Sequence, residues 1–294
     1  MGFQRPASLA EALRAKAERP DALPIAGGTD VMVELNFDHR RPAELLDLTA
    51  VPELRAVTVT DGVVRLGAGV PYAEIIARHR DVLPGLAMAA RTVGSPQIRN
   101  RGTVGGNLGS ASPAGDAHPP LLACDAVVEV ASVRGGRDIP IGEFFLGVKR
   151  SALEPDELIT AVRVPAATGP QQFAKVGTRN AMVIAVCSFA VALHPRRRAV
   201  GTGIGSAAPT PRRAPAAEEY AADALDWAGR GPLTDEVGRR FGELVAAAAS
   251  PIDDVRGSAA YRRHALAVLA RRTLGWAWAE YTSAGDTSTE GSRA

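Results

Sequence analysis

Apolar and polar positions change rhythm partway along the chain. Up to about residue 166, short apolar runs alternate with short segments of helical spacing. Residues 9–17, mostly Ala, Leu and Glu, follow Ser8. Ser8 is placed as an N-cap, and Glu11 three residues on completes a capping box. Residues 22–25 predict a short strand running into Gly27-Gly28, and 45–48 is a second apolar run. Valine-rich 57–60 and 63–66 flank Asp61-Gly62, a pair suited to a turn with positive φ, and predict a hairpin. Residues 72–79 and 82–92 have helical spacing. The stretch 97–120, dense in Gly, Ser, Pro and Asn, reads as one long loop. A strand over 126–131 and a turn over 134–137 follow.

Composition shifts at Ala166-Ala167-Thr168-Gly169-Pro170, where a domain boundary is expected. Beyond it come three strands, at 172–176, 183–193 and 199–204. After Pro211 the pattern turns helical, at 216–227, 234–249 and 258–278. Strands followed by helices argue for an α+β architecture with segregated layers. The expected organisation is one domain over 1–168, a second over 169–281, and a disordered tail over 282–294, rich in Ser, Thr, Gly and charge.

Composition narrows the chemistry. Of 294 residues, 46% are apolar and 22% charged, an ordinary globular balance. Two cysteines are too few for a disulfide scaffold or for an iron–sulfur cluster, which needs four thiolates. Both sit in apolar runs and read as core. A net charge of +2 leaves no footprint for nucleic acid. The longest apolar stretch, 181–193, falls short of the roughly 20 residues a membrane helix needs. No signal-peptide pattern follows Met1, so a cytoplasmic protein without membrane contact is expected. The five histidines show no paired ligand spacing, so no metal site is expected. Neither a P-loop nor a G-x-S-x-G elbow is present. Gly203-Ile204-Gly205-Ser206-Ala207-Ala208 fits a dinucleotide fingerprint, but Pro209 and Pro211 deny it the helix that must open there.

Two glycine loops carry the positive signal. The first, Ala26-Gly27-Gly28-Thr29-Asp30, directly follows an apolar strand. The second, Thr103-Val104-Gly105-Gly106-Asn107, lies inside the long loop. Paired glycines let successive N–H groups converge on an anion, and Thr29, Thr103 and Asn107 add side-chain donors. Either loop alone reads as a tight turn. Together they could grip a pyrophosphate from two sides. Asp116, farther along the second stretch, suits sugar-like hydroxyls or a turn.

These stretches resemble a known family. The sequences AGGTDVMVELN from Ala26 and QIRNRGTVGGNLGSASPAGDAHPPLLACDA from Gln97 are similar to the FAD-binding, or medium, subunits of the molybdenum hydroxylases. So are FAKVGTRNAMVIAV from Phe173 and DDVRGSAAYRR from Asp253. That group includes xanthine and carbon monoxide dehydrogenases. The resemblance implies a two-subdomain FAD-binding fold of the vanillyl-alcohol-oxidase (PCMH) type, followed by a small domain of antiparallel sheet and helices. It implies that 26–30 and 103–107 hold the FAD pyrophosphate and that Asp116 binds FAD. Val93, Ile159 and Lys175 fall at further FAD contacts, and Ile184 falls where a side chain covers the flavin ring. Lys175 beside the ring would favour reduced, anionic flavin; alternatively it is an exposed strand residue. No His or Cys suits a covalent flavin bond, so noncovalent FAD is expected.

The implied role is electron transfer. A molybdenum-cofactor large subunit would oxidise substrate, and an iron–sulfur small subunit would relay electrons. FAD on this chain would pass them to NAD, oxygen or another acceptor, with no catalytic side chain required. The overall look leans toward xanthine or purine dehydrogenases. A self-contained flavin oxidase or reductase and a flavin-free scaffold are the competing readings.

Overall fold

The computed structural model describes residues 1–286. It opens with strand β1 (Gly2–Gln4), helix α1 (Leu9–Glu18), β2 (Leu23–Ile25), α2 (Val31–Asn36) and β3 (Glu44–Asp47). β3 lies between β1 and β2, parallel to both, with Leu45 opposite Phe3 on one side and Leu23 on the other. Parallel pairing requires crossovers, which α1 and α2 provide. The capping signal at Ser8 is realised. Its hydroxyl accepts the Glu11 N–H at 3.2 Å, and the Glu11 carboxylate reaches back to the Ala7 N–H at 2.8 Å.

The hairpin strands β4 (Val57–Thr60) and β5 (Val63–Gly67) turn at Asp61 and Gly62, both with positive φ. Five short helices follow: α3 (Tyr72–Arg78), α4 (Pro84–Thr92), α5 (Pro96–Arg101), α6 (Val104–Ser110) and α7 (His118–Ala123). Then come β6 (Val127–Ser132), β7 (Gly135–Pro140), α8 (Ile141–Phe144), β8 (Phe145–Gly147), β9 (Arg150–Ser151) and β10 (Leu158–Pro165). The antiparallel sheet runs β4-β5-β10-β6-β7. In β6 every second residue is buried, the period-two pattern of a strand with one face on the core.

Three local expectations are corrected here. The stretch 97–120 is not one loop but contains most of α5, all of α6 and the start of α7. Serine and threonine supply the stops and starts that its glycines disguise: Ser95 caps α5 through Ile98, and Thr103 caps α6 through Gly106. The turn expected at 134–137 is shorter, because Gly135 already begins β7. The strand expected from 183 starts at Cys187.

The second layered unit is antiparallel β11 (Gln171–Val176), β12 (Cys187–His194) and β13 (Ala199–Gly205), followed by α9 (Pro215–Ala224), α10 (Asp235–Ala248) and α11 (Ala259–Asp286). Phe189, Phe241, Leu266, Leu274 and Trp278 form its core, separate from the core of the first unit. β12 is buried on both faces, against α11 on one side and α7 on the other, and so reads as a near-continuous apolar run broken only by Ser188 before His194. The fold is thus α+β throughout, in layers. Of the tail expected at 282–294, residues 282–286 are helical as the end of α11; the remainder lies outside the described residues.

The glycines of the false dinucleotide fingerprint have a packing role. β13 crosses α7 at backbone contact. A Cβ on Gly203 would stand 2.0 Å from the Pro119 carbonyl oxygen, and one on neighbouring Gly201 equally close to that of Ala123. We expect Gly203→Ala to destabilise the chain by about 1–3 kcal/mol, the usual cost of overpacking. Thermal unfolding checks this, and an unchanged midpoint would contradict it.

Candidate functional site

A half-open cavity of about 2030 Å³ is lined mainly by the first unit, with Met182, Val183 and Ile184 of the β11–β12 loop closing one side. Both glycine loops meet on its wall. The first leaves the C-terminal end of β2, and the second spans the cap and first turn of α6. The first packs, main chain to main chain, on Arg101 and Gly102, the two residues that lead into the second. A Cβ on Gly27 would lie 1.9 Å from the Arg101 carbonyl oxygen and 2.9 Å from the Gly102 nitrogen. Gly28 has φ +77°, a conformation that L residues avoid.

The second loop is held from several directions. The Thr103 hydroxyl accepts the Gly106 N–H at 2.9 Å, and the Gly105 N–H donates to the Ala68 carbonyl at 3.1 Å. The Tyr72 N–H donates to the Gly102 carbonyl at 3.0 Å. Gly106 itself faces open space, since an added Cβ would meet only the Thr103 hydroxyl. A further wall is set by Arg99, which donates to the Val93 and Gly94 carbonyls at 3.1 and 3.0 Å.

Asp116 lies in the turn between α6 and α7 and is buried. Its Oδ2 accepts from the Lys175 ammonium at 2.7 Å and from the Thr92 hydroxyl at 3.2 Å. Burial raises the carboxyl above its ordinary value, although Lys175 and Thr92 pull it down. Its other oxygen, Oδ1, has no partner. Nor do Tyr72 Oη and Asn107 Oδ1, and all three residues line the cavity. Buried polar atoms are rarely left without partners, so these three mark a place for polar ligand atoms. Burial, together with the negative charges of Asp116 and Asp30, pushes the Tyr72 phenol well above the tyrosine range, so it is a neutral donor.

His118 sets the shape of this turn. It is fully buried, and burial lowers it to about 4 against the opposing pull of the Asn107 and Ser112 backbone. The neutral ring hydrogen-bonds the Asn107 carbonyl through Nε2 at 3.2 Å and packs on Phe145 at 4.5 Å between ring centroids. Across the cavity, Lys149 on the β8–β9 hairpin pairs with Glu34 on α2 at 2.6 Å, which holds the Glu34 carboxyl below its usual range.

The residues singled out from sequence are brought together with two exceptions. Ala26, Gly27, Gly28, Thr29, Asp30, Val93, Thr103, Gly105, Gly106, Asn107, Asp116, Ile159 and Ile184 all line the cavity. Val104 does not; its side chain is buried in the core behind the loop. Lys175 is neither beside the cavity nor exposed. It lies behind Asp116, paired with that carboxylate and donating to the Thr92 carbonyl at 3.0 Å. Its charge is therefore committed to Asp116. Tyr72 was missed, because a tyrosine opening a short helix carries no sequence signal of function. Among the described residues, no helix is long and apolar enough to cross a membrane, and no three His, Cys, Asp or Glu side chains gather as a metal site.

Residues 1–167 match the family described as the FAD binding domain in molybdopterin dehydrogenase. Residues 172–277 match the CO dehydrogenase flavoprotein C-terminal domain. The chain is 32% identical to the xanthine dehydrogenase FAD-binding subunit of Escherichia coli O157:H7, covering 92% of this chain and 94% of the relative. It is 33% identical to the nicotine 6-hydroxylase medium subunit of Paenarthrobacter nicotinovorans (92% and 95%) and 30% identical to the carbon monoxide dehydrogenase medium chain of Hydrogenophaga pseudoflava (94% and 96%). Among solved structures, a chain of the H. pseudoflava carbon monoxide dehydrogenase superposes with a TM-score of 0.87 at 28% identity (96% and 98% covered). A chain of quinoline 2-oxidoreductase from Pseudomonas putida 86 does so equally well at 25% identity, again covering 96% and 98%.

Proposed function

The chain belongs to the family of FAD-binding flavoprotein subunits of molybdopterin dehydrogenases, and from that premise we propose that it is the electron-transfer subunit of a molybdenum hydroxylase complex. The observation that carries this reading is the joint one. The first glycine loop packs on the two residues that lead into the second, and both loops line one cavity together with three residues that carry partnerless buried polar atoms. Bound FAD supplies the redox chemistry, which the side chains here do not.

The residues fit a noncovalently held FAD. Ala26, Gly27, Gly28, Thr29 and Asp30 on one side, with Thr103, Gly105, Gly106 and Asn107 on the other, form the cradle for the pyrophosphate. The convergent free amides expected of the second loop are not found, because the Gly105, Gly106 and Asn107 N–H groups are already bonded to the Ala68 carbonyl and to the Thr103 hydroxyl and carbonyl; what Gly106 offers is close approach, since it has no side chain in the way. Asp116 offers an acceptor at Oδ1 and Tyr72 a donor, a pair suited to hydroxyl-bearing parts of the cofactor. Val93, Ile159 and Ile184 supply an apolar wall for the flat ring. Lys175 keeps the Asp116 carboxylate oriented. Cys124 and Cys187 are buried, and burial pushes both thiols to about 12, so neither offers a thiolate for a covalent bond.

Substrate oxidation and the iron–sulfur relay belong, on this reading, to partner subunits. The substrate then leaves no mark on this cavity. Similar identities to subunits of xanthine, nicotine and carbon monoxide enzymes agree with that division. Within it we keep a xanthine-like substrate and NAD as the acceptor to test first.

The test is a visible spectrum of the purified chain before and after acid precipitation. Yellow colour released into the supernatant as FAD is the expected result, with the molybdenum and iron–sulfur partners sought by co-purification. Colour retained in the pellet would overturn noncovalent binding. A folded chain that takes up no added FAD would overturn the reading itself.

A further inference from the structure

The segment DDVRGSAAYRR, at the start of α11, has no place in the cavity. Its most buried member is Arg262, whose side chain is 4% exposed. One guanidinium nitrogen, Nη1, donates to the Val186 carbonyl and to the Ser206 carbonyl, each at 2.6 Å. The other, Nη2, pairs with Asp254 at 2.5 Å. Asp254 is itself fixed by the Arg256 N–H at 2.8 Å and by a two-way backbone bridge to Gly257. Gly257 packs on Val186, with room for a Cβ only 3.2 Å from the Val186 side chain.

Val186 closes the neck of the loop joining β11 to β12, through its N–H to the Val176 carbonyl at 2.8 Å. One residue earlier, the Ala185 carbonyl accepts the Ser206 hydroxyl at 2.6 Å. Arg262 and Ser206 thus hold two successive carbonyls of one strand end. The three residues before them, Met182, Val183 and Ile184, line the cavity, and Ile184 is half exposed there. Beyond the neck, the loop has few ties of its own. Arg179 donates to the Ala181 and Met182 carbonyls from an exposed position.

We infer that Arg262, acting with Ser206, is a positioning residue that anchors the 177–186 loop so that Met182, Val183 and Ile184 close one side of the flavin site. A charged fork is required, because three acceptors in different directions must be met at once, and a lysine ammonium on a flexible stem does not reproduce that geometry. The motif at 253–263 therefore serves the cofactor site from the second unit, without touching the cavity. The flavin half of this inference rests on the FAD reading above; the anchoring half does not.

The experiment uses the full-length chain as wild type, Arg262→Lys and Ser206→Ala. In FAD-free protein, limited trypsin cleavage after Arg179 is followed by mass spectrometry. Both variants should be cut there about tenfold faster than wild type, the scale set by losing a charge-assisted or buried hydrogen bond. With FAD added, both should bind it about tenfold more weakly and leave its fluorescence more open to iodide quenching, with a thermal midpoint close to wild type for Ser206→Ala. Equal cleavage at Arg179 in all three chains overturns the anchoring. Faster cleavage with unchanged FAD affinity and quenching overturns the link to the flavin site. A wild type that binds no FAD overturns the functional reading and the flavin half, while the cleavage rates still decide the anchoring.

Discussion

Gly27→Ala loses FAD. The expected drop in affinity is at least about 100-fold, corresponding to roughly 2.7 kcal/mol. The cause is steric. The added methyl would sit 1.9 Å from the Arg101 carbonyl oxygen and 2.4 Å from its carbon, both main-chain atoms with no rotamer to move. The two loops must separate, and their shared cradle is lost. Stability should fall as well, by about 1–3 kcal/mol for forcing volume into a packed site. Gly106→Ala provides the contrast. Its methyl would meet only the Thr103 hydroxyl at 3.1 Å and otherwise point into open cavity. That variant should weaken FAD binding with little change in thermal midpoint. Fluorescence titration with FAD and thermal unfolding on both variants decide the matter. Wild-type affinity in Gly27→Ala would refute the idea that contact between the loops builds the site.

The second large effect is expected from Lys175→Met. Lys175 and Asp116 are both buried, with side-chain exposures of 8% and 9%, so solvent does little to screen them. Removing one partner leaves the other charge without compensation, which costs about 3–5 kcal/mol in buried pairs. The pH dependence follows from Asp116. Burial already raises its folded pKa above the unfolded value, so between the two the folded chain binds more protons than the unfolded one. Stability from this group is greatest below the unfolded pKa, near 3.8, and falls as pH rises through the folded value. Without Lys175 the folded pKa moves farther up, and the window widens upward. The stability deficit of Lys175→Met should therefore be largest at neutral pH and shrink toward pH 4. Unfolding midpoints of variant and wild type across that range test it. A deficit that stays constant with pH would show that lost packing, not the orphaned carboxylate, is responsible.

Lys175→Met also separates two readings of that lysine. Placed beside the flavin ring, it would tune the reduction potential directly. Placed behind Asp116, as the structure has it, it acts on the carboxylate. FAD affinity should then fall together with stability, and Asp116→Asn should produce a similar loss of affinity.

Local signals in the chain were read correctly where one short segment contains its own reason. Ser8 with Glu11 fixes the start of a helix through bonds within five residues. Asp61-Gly62 fixes a hairpin because both residues accept positive φ. The stretch 97–120 misled for the same local reason. Its glycines lower helix propensity. The caps at Ser95 and Thr103, and packing of that stretch against the rest of the first unit, outweigh this over helices only six or seven residues long. β10 escaped notice because its burial comes from neighbours on both sides, β5 and β6, which lie far away in sequence.

By itself the sequence determined the α+β class, the two glycine loops, the acid that follows them and the family. Each is a matter of residue type and short spacing, which survive any later rearrangement of the chain. Tertiary structure alone decided what those residues do. It showed that Gly27 is a packing glycine pressed on Arg101 and Gly102 at the entry to the second loop, and that Gly203 serves contact with α7 rather than a dinucleotide. It placed Lys175 behind Asp116, left Tyr72, which lines the cavity, with a buried hydroxyl that has no protein partner, and ran Arg262 to the loop that carries Ile184. Each of these depends on groups brought together from positions well apart in the chain, 44 to 76 residues apart for the electrostatic influence of Asp116 on Tyr72, the Lys175–Asp116 pair, the Gly27–Arg101 packing and the Arg262–Val186 hydrogen bond. Burial then sets their strength, since a charge or hydroxyl cut off from water must find its partner in the protein or in a ligand.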